Sequence, residues 1–240
     1  MASKKQNTGQ PRVFAYIIRT VGPGYRLTGF VPWVSNRKVF FGACKKKMRP
    51  HVKRGDYIMG ISGSGAGRPR RVLLWMRVAE PMSFRDAYEK GRTNNAFFNV
   101  RGKAIHLRPC KDVAYIRGNP ECYVHIKGAH HEDDWRSDVK GNRDAFLVGR
   151  GGSWVAEVEG PIITPELVEL LSGGFPSTWK GHATVSNPLT QYARGKHVLV
   201  TGETAQRIVS WIQREQQGVR NPIQSSSGSR IACARICSCR

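Results

Sequence analysis

Short runs of β-branched and aromatic residues, each bounded by Gly, Pro, Ser or Asn, recur along the chain from Val13 onwards. Such runs are typical of strands, because branched and aromatic side chains pack well on a pleated surface. We predict strands at Val13–Ile18, Lys38–Gly42, Tyr57–Ile61, Val72–Val78, Cys122–Ile126, Ala145–Val148, Trp154–Val158 and His197–Val200. Their short, turn-separated spacing favours a curled mixed sheet or a small β-barrel over a doubly wound parallel sheet.

Three further segments carry helix signals. Ser83–Lys90 begins with a capping residue and is followed by Gly91. A second helix starts at Thr164-Pro165-Glu166, which combines a capping hydroxyl, a first-turn proline and a first-turn acid, and it stops at Gly173-Gly174. A third, about Glu203 to Gln217, spaces its apolar residues helically and ends at Gly218. The predicted fold class is therefore α+β, a curled sheet with a few flanking helices.

The ends of the chain differ in composition from its middle. Residues 1–12 are polar and basic, and we expect them to be disordered. Residues 223–240 open with a Ser/Gly-rich stretch and contain Cys233, Cys237 and Cys239, so we expect a second disordered segment there. Residues 13–222 are expected to form a single domain. No apolar run is long enough for a membrane span or a signal peptide, so we expect no membrane association and a cytoplasmic location.

Charge is distributed unevenly along the chain. The 240 residues include 39 Lys/Arg against 17 Asp/Glu, a formal net charge of +22. The first 55 residues carry thirteen of these cations and no acid, the first acid being Asp56. The counter-charge must therefore come from later in the chain or from outside. A field of this size attracts polyanions, so DNA or RNA is the predicted partner, and the sequence does not identify a protein partner.

The basic residues cluster after the predicted strand at Lys38–Gly42. Lys and Arg beside a sheet edge contact phosphates, which gives affinity and salt dependence rather than sequence choice. The predicted phosphate contacts are Lys45, Lys46, Lys47, Arg49, Lys53 and Arg54, with Arg70 and Arg71 as additional contacts. The alternative is an ordinary solvated loop, but the lack of any acid before Asp56 favours contact.

Aromatic residues are interleaved with these charges. Trp33, in Gly29-Phe30-Val31-Pro32-Trp33, lies in a loop-like context and is the candidate for stacking on a base. The alternative for Trp33, as for most of the other aromatic residues, is a place in the core.

The sequence gives little indication of cofactor, metal or catalytic chemistry. Gly60–Gly67 lacks the Gly-Lys-Ser/Thr ending of a phosphate loop and precedes a strand rather than a helix, so we expect no nucleotide cofactor and interpret it as a hairpin turn. Neither the group Cys122, His125, His130 and His131 nor the three tail cysteines has the ligand spacing of a zinc site, and no metal is predicted. No catalytic motif is present, and Asp56 and His182 are only weak acid/base candidates.

Several stretches together resemble the nucleotide modification associated domain 2 family. They are Val13–Ile18, Gly29–Pro32, Gly42–Arg49, Gly55–Gly60, Leu73–Val78 and Ser83–Tyr88, with looser similarity at Ala145–Val148 and Lys180–His182. This resemblance implies a domain that recognises or handles a modified base or nucleotide in a DNA-modification or defence setting. The alternative that it implies is an enzyme of nucleotide or DNA base modification. The order of strands is also similar, more distantly, to PUA-like domains of the EVE and ASCH group, which are small β-barrels.

Overall fold

A computed structural model describes residues 10–18, 32–42, 45–63, 69–129, 132–156, 160–175, 183–189 and 197–218. The strands are β1 (Arg12–Ile18), β2 (Trp33–Ser35), β3 (Lys38–Phe41), β4 (Tyr57–Ser62), β5 (Val72–Met82), β6 (Leu107–Pro109), β7 (Tyr123–His125), β8 (Phe146–Gly149), β9 (Trp154–Val155) and β10 (Val198–Thr201). The helices are α1 (Phe84–Lys90), α2 (Asn95–Phe98), α3 (Arg136–Val139), α4 (Pro165–Ser172) and α5 (Gly202–Gly218), with 3₁₀ turns at Arg49–His51, Pro120–Cys122 and Gly141–Arg143.

Eight strands form one mixed sheet in the order β10-β1-β4-β5-β8-β3-β2, with β9 pairing β5 beside this path. Strands β1 and β4 run parallel and the other pairs are antiparallel. The register of β5 against β8 shifts between Val78 and Glu80, and a bulge of this kind bends the strand that carries it. A separate two-stranded sheet pairs β6 with β7. In the described ranges the main sheet does not close into a barrel, so the α+β mixed-sheet prediction is confirmed and its barrel alternative is not.

The predicted helices form where their capping residues stand. Ser83 accepts a hydrogen bond from the Asp86 amide at the start of α1, and the Asp86 side chain bonds back to Ser83 as a capping box. Thr164 caps α4 through the Leu167 amide, with Pro165 in the first turn. The predicted turn before β4 is also present: Gly55 adopts a φ of +93°, a conformation that glycine adopts without steric cost.

Two hydrophobic clusters lie against the sheet. The first cluster joins β1, β4, the first half of β5, β10, α4 and α5, and its largest fully buried side chain is that of Trp211. The second cluster joins the β8 region to α1, α2, β6 and β7, and includes Phe40, Phe84 and Phe146. The bend in β5 allows this one strand to contribute to both clusters.

The loop-like context assigned to Trp33 is wrong, because Trp33 begins strand β2 and pairs with Phe40 of β3. The turn of this hairpin is Asn36-Arg37, and both residues have positive φ, 46° and 59°. Two-residue hairpin turns require such angles. Asn36 is typical of such a turn, but Arg37 stands where glycine is usual. The sequence therefore did not indicate a hairpin here.

Candidate nucleic-acid interface

The loop between β3 and β4, residues 42–56, carries most of the predicted phosphate contacts. The side chains of Lys47, Lys53 and Arg54 are exposed, and the described part of the chain places no carboxylate in an ion pair with them. Lys45 is half-buried, with its Nζ 4.9 Å from the centroid of the Tyr16 ring. Three uncompensated cations are thus held on one short loop beside the amino end of β4.

Two other cations of this loop meet acids from the later half of the chain. The Nζ of Lys46 lies 2.6 Å from Asp134 Oδ2 and also donates to the Ser137 hydroxyl. Arg49 is fully buried and pairs with Asp138, which is fully buried too. The later half of the chain therefore supplies part of the counter-charge for the basic amino-terminal segment.

Arg49 anchors the loop to the second cluster. Its Nη2 donates to the Asp138 carbonyl at 3.1 Å and to Asp138 Oδ1 at 3.3 Å, and its Nη1 donates to the Ala145 carbonyl. The guanidinium lies 5.2 Å from the Phe84 ring centroid, and His106 Nε2 lies 3.2 Å from Asp138 Oδ2. A guanidinium enclosed in this way cannot reach a phosphate in the observed conformation, so Arg49 acts here as a structural residue.

Asp56 is also held by its neighbours. Arg12 donates through Nε to Asp56 Oδ1 at 2.9 Å and through Nη2 to Oδ2 at 2.5 Å. The amide of Lys53 donates to the same Oδ2 at 2.6 Å. These hydrogen bonds to the Asp56 carboxylate raise the pKa of Arg12. The pair joins the starts of the parallel strands β1 and β4, so this carboxylate organises the turn that carries Lys53 and Arg54.

Arg70 and Arg71 lie at the other end of β4. Arg70 is buried, and it donates to the Ser62 carbonyl at 2.5 Å and to the Ser186 carbonyl at 2.9 Å. Burial lowers its pKa. Arg71 donates to the Gly160 carbonyl at 2.9 Å. A six-residue strand spans about 17 Å, so the structure does not bring this pair together with the loop of residues 42–56.

Trp33 packs at the edge of the second cluster. Its ring is partly buried, and the Nζ of Lys103 lies 5.1 Å from the ring centroid. Its indole Nε1 is buried and has no hydrogen-bond partner among the described residues. Trp33 pairs with Phe40, and Phe40 is two residues before Gly42, where the basic loop begins.

Two histidines, His51 and His197, lie close to Lys45 of the basic loop. The sequence alone did not indicate this. His197, directly before β10, lies against Phe14 with ring centroids 5.6 Å apart. Burial lowers the pKa of His197, and the nearby His51 and Lys45 lower it further. His51 follows Arg49 in the 3₁₀ turn, and its carbonyl accepts a hydrogen bond from Arg12 Nη2 at 2.9 Å. Strand β10 pairs with β1. This pairing places His197, which is distant in the sequence, beside the basic loop.

A second buried network surrounds Asp144. Its Oδ1 accepts from the Phe84 amide at 2.8 Å, and its Oδ2 accepts from the hydroxyls of Tyr115 at 2.9 Å and Tyr123 at 2.7 Å. Burial, followed by the charge of Asp144, raises the pKa of Tyr123, and burial raises that of Tyr115. Because Phe84 is the first residue of α1, Asp144 fixes that helix against the second cluster.

Several predicted residues lie outside the described ranges. His182, His130, His131, Cys233, Cys237 and Cys239 are among them, as are both predicted disordered termini except residues 10–12. In the part of the chain that is described, no three His, Cys, Asp or Glu side chains are grouped as metal ligands. Cys122 is buried, and its thiol bonds to the Ala114 carbonyl and the Ile116 amide, both at 3.2 Å.

The described helices are too short or too polar to cross a membrane.

Comparison with known proteins identified a family. The family model described as nucleotide modification associated domain 2 matches residues 10–148, which is more than half of the chain. No curated protein and no solved structure matched the chain. The matched segment includes the basic loop, α1, α2, β6, β7 and the buried networks around Arg49 and Asp144.

Proposed function

The chain belongs to the nucleotide modification associated domain 2 family, and from this membership we propose that it is a nucleic-acid-associated domain that recognises or handles a modified base or nucleotide. The observation that carries the proposal is that the matched segment contains the loop with three exposed, uncompensated cations. A family associated with nucleotide modification and a surface suited to phosphates point to the same class of partner.

In this proposal the loop contacts the backbone of DNA or RNA. Lys47, Lys53 and Arg54 neutralise phosphates, and Lys45 and Lys46 stand beside them. Such contacts supply affinity without sequence preference. The ion pair of Lys46 with Asp134 is exposed, and exposed pairs are worth only up to about 1 kcal/mol, so a phosphate competes readily for that ammonium.

Buried groups keep the loop in place. Arg49 fastens its middle to the second cluster, and the Arg12–Asp56 pair fastens its end to the sheet. Trp33 is the proposed stacking surface, because it pairs with Phe40 close to the start of the loop. Extruding a base from a duplex costs a few kcal/mol, and a stacking contact of about 1–3 kcal/mol offsets part of that cost.

The phosphate contacts are tested by salt titration of duplex binding, measured by fluorescence anisotropy. The triple variant Lys47→Gln, Lys53→Gln, Arg54→Gln removes three positive charges. We expect weaker binding and a slope of log affinity against log salt reduced by up to about three, since each neutralised phosphate contributes about 0.9. The charge-matched control is Lys127→Gln, Arg207→Gln, Arg214→Gln, which changes exposed cations on β7's flank and on α5. Equal slopes for the two triple variants would contradict the proposed interface.

Recognition of a modified base is tested by comparing duplexes that differ only in one modified base. We expect tighter binding to at least one modified duplex, and we expect Trp33→Ala to reduce that preference more than it reduces binding to plain DNA. Mass spectrometry of nucleotides released from the denatured purified protein identifies the base to use. Equal affinity for plain DNA and for every modified duplex would instead indicate a general DNA-coating protein.

A further inference from the structure

A second cationic site lies on the second cluster, away from the basic loop. A cleft of about 510 Å³ opens between α1 and the segment that follows β6. Its charged lining consists of five cations, Arg85, Arg92, Arg101, Arg108 and Lys111, and one acid, Glu89. Glu89 pairs with Arg92 at 3.2 Å. No carboxylate in the described ranges forms an ion pair with the other four cations.

Arg101 is held in one position within this cleft. Its Nη2 donates to the Tyr88 carbonyl at 2.5 Å, and its guanidinium lies 3.9 Å from the Tyr88 ring centroid. It also packs against Gly91, where an added Cβ would lie 2.5 Å from Arg101 Nε. The Nε is buried and has no acceptor among the described residues. A guanidinium fixed in this way has less entropy to lose when an anion binds, and its fork of donors matches phosphate oxygens.

The opposite wall of the cleft is fixed by buried groups. The Cys122 thiol holds Ala114 and Ile116, and the Cys110 amide donates to the Cys122 carbonyl at 2.8 Å. Between these residues, the Tyr115 hydroxyl is bonded to Asp144, and the guanidinium of Arg85 lies 4.8 Å from the Tyr115 ring centroid. Buried hydrogen bonds thus fix one wall of the cleft and Arg101 on the other, while Arg85, Arg92, Arg108 and Lys111 are exposed at its mouth.

A neighbouring cleft has a different polarity. It measures about 650 Å³ and shares Glu89 and Tyr115 with the cationic cleft. Its lining includes three carboxylates, those of Glu80, Asp86 and Glu89, alongside Lys90 and Arg117. A phosphate is favoured only on the cationic side, whereas carboxylates accept hydrogen bonds from hydroxyl and amino groups. Two joined clefts of this kind match a ligand with one phosphate end and one uncharged polar end.

We propose that the cationic cleft binds the phosphate of a free nucleoside monophosphate, with its sugar and base directed towards the carboxylates. The choice of a nucleotide as the carrier of the phosphate rests on the proposed function. The volume lies within the range of about 300–1,000 Å³ that is usual for small-molecule sites. The acidic neighbour disfavours a continuing strand, whose next phosphate would meet carboxylates.

The direct test is isothermal titration calorimetry of the full chain with 2′-deoxynucleoside 5′-monophosphates, with the corresponding nucleosides, with inorganic phosphate and with a short 5′-phosphorylated oligonucleotide. We expect at least one monophosphate to bind at least about tenfold more tightly than its nucleoside, because hydrogen bonds to charged groups are the strong ones. It should also bind more tightly than inorganic phosphate. Binding of inorganic phosphate alone, or of the oligonucleotide alone, would overturn the proposal.

Two variants locate the ligand. Arg108→Gln removes an exposed cation that forms no ion pair with a carboxylate of the described residues. Gly91→Ala suits the backbone, since Gly91 has a φ of −67°, but its Cβ displaces the Arg101 side chain. Each should weaken monophosphate binding at least about tenfold, and Lys127→Gln should not. Unchanged affinity in both variants would place the ligand elsewhere and contradict the assignment.

The same measurements separate this inference from the proposed function. The loop variant Lys47→Gln, Lys53→Gln, Arg54→Gln should weaken duplex binding and leave monophosphate binding intact. Duplex binding that responds to the loop, together with no monophosphate binding, would overturn the cleft while the proposed function stands. Monophosphate binding that depends on Arg108, with no duplex binding, would support the cleft and contradict the phosphate-contacting loop.

Discussion

The two hydrophobic clusters differ in what they bury. Around the first cluster, the ionisable groups Asp56 and Arg70 stay at strand ends and remain slightly exposed, at 6% and 8%. In and beside the second cluster, four ionisable side chains have no exposed surface at all, namely Arg49, His106, Asp138 and Asp144. The first cluster is thus held by apolar packing, while the second also depends on hydrogen bonds and ion pairs.

This difference bears on function. Apolar packing tolerates exchanges of similar volume, whereas a buried polar network holds each donor and acceptor in one arrangement. The second cluster fastens the basic loop through Arg49 and supports the cationic cleft through Asp144 and Cys122. The cationic cleft therefore depends on the second cluster, whereas the basic loop is held by both clusters, because its Met48 and Val52 lie in the first and its Arg49 bonds to the second.

The largest expected effect comes from Arg49→Met. Removing one partner of a buried ion pair typically costs about 3–5 kcal/mol, because the other charge is left buried and unpaired. The matched control in the first cluster is Met76→Leu, a buried exchange of similar volume expected to cost less than about 1.5 kcal/mol. Urea unfolding of both variants gives the two free energies. Equal losses would remove the distinction between the clusters.

A second substitution sharpens this result. If the cost of Arg49→Met arises from the uncompensated charge, then adding Asp138→Asn should recover part of the lost stability. A double variant as unstable as the sum of the two single variants would show that the pair is not energetically coupled.

A smaller effect is expected from Tyr123→Phe. The hydroxyl donates to a buried carboxylate, and such a bond contributes about 1.5–3 kcal/mol. The control is Tyr57→Phe beside the first cluster. The Tyr57 ring stacks on Trp75 with ring centroids 4.9 Å apart, and the free energy of unfolding should change little. Comparable losses from these two variants would mean that the Asp144 network contributes little.

Tyr123→Phe also has a consequence at alkaline pH. Because the folded-state pKa of Tyr123 is raised, the folded protein keeps a proton that the unfolded chain releases near pH 10, roughly the ordinary value for tyrosine. Stability therefore falls as the pH rises above that value, and the variant should show a shallower fall. Identical alkaline unfolding profiles would contradict the raised pKa.

The smallest expected effect is on stability at acid pH, and it comes from substituting His197, which packs against Phe14 of the first cluster. The folded-state pKa of His197 is lowered, so the unfolded chain takes up a proton before the folded protein does. Stability is lost as the pH falls below about 6.5, the ordinary value for histidine. His197→Phe preserves the contact with Phe14. The variant should lose less stability as the pH falls from 7 to the lowered pKa of His197. A profile as steep as that of the original chain would assign the acid sensitivity to other groups.

The sequence predicted the first cluster well. Strands β1, β4 and β10 and the helices α4 and α5 were identified because branched runs, caps and terminal glycines are local signals. In the second cluster the same signals predicted α1, β7 and β8, but not the buried pair of Arg49 and Asp138. Arg49 stands in Lys45-Lys46-Lys47-Met48-Arg49 and resembles its neighbours, but its partner Asp138 lies 89 residues later. Burial of one cation from a basic run is a tertiary property without a local signal.

The cationic cleft was missed for a related reason. Arg85, Arg101 and Arg108 are isolated charges on three different segments, and only the packing of α1 against β6 places them around one space. At Trp33 the error was local. The unusual turn residue Arg37 meant that the β2–β3 hairpin was not predicted. Local patterns thus predicted most strands of the main sheet, the helices α1, α4 and α5, and the charged loop. The elements β2, β6, α2 and α3 and the site that depends on several segments emerged only from the fold.

Hydrogen–deuterium exchange of the full chain, with and without a saturating deoxynucleoside monophosphate, tests most directly whether the second cluster carries the ligand site. The expected result is slower exchange in peptides that cover residues 84–92 and 101–116, with no change in peptides of β1, β4 and α5. Slower exchange confined to the first cluster, or no change anywhere at saturating nucleotide, would contradict it.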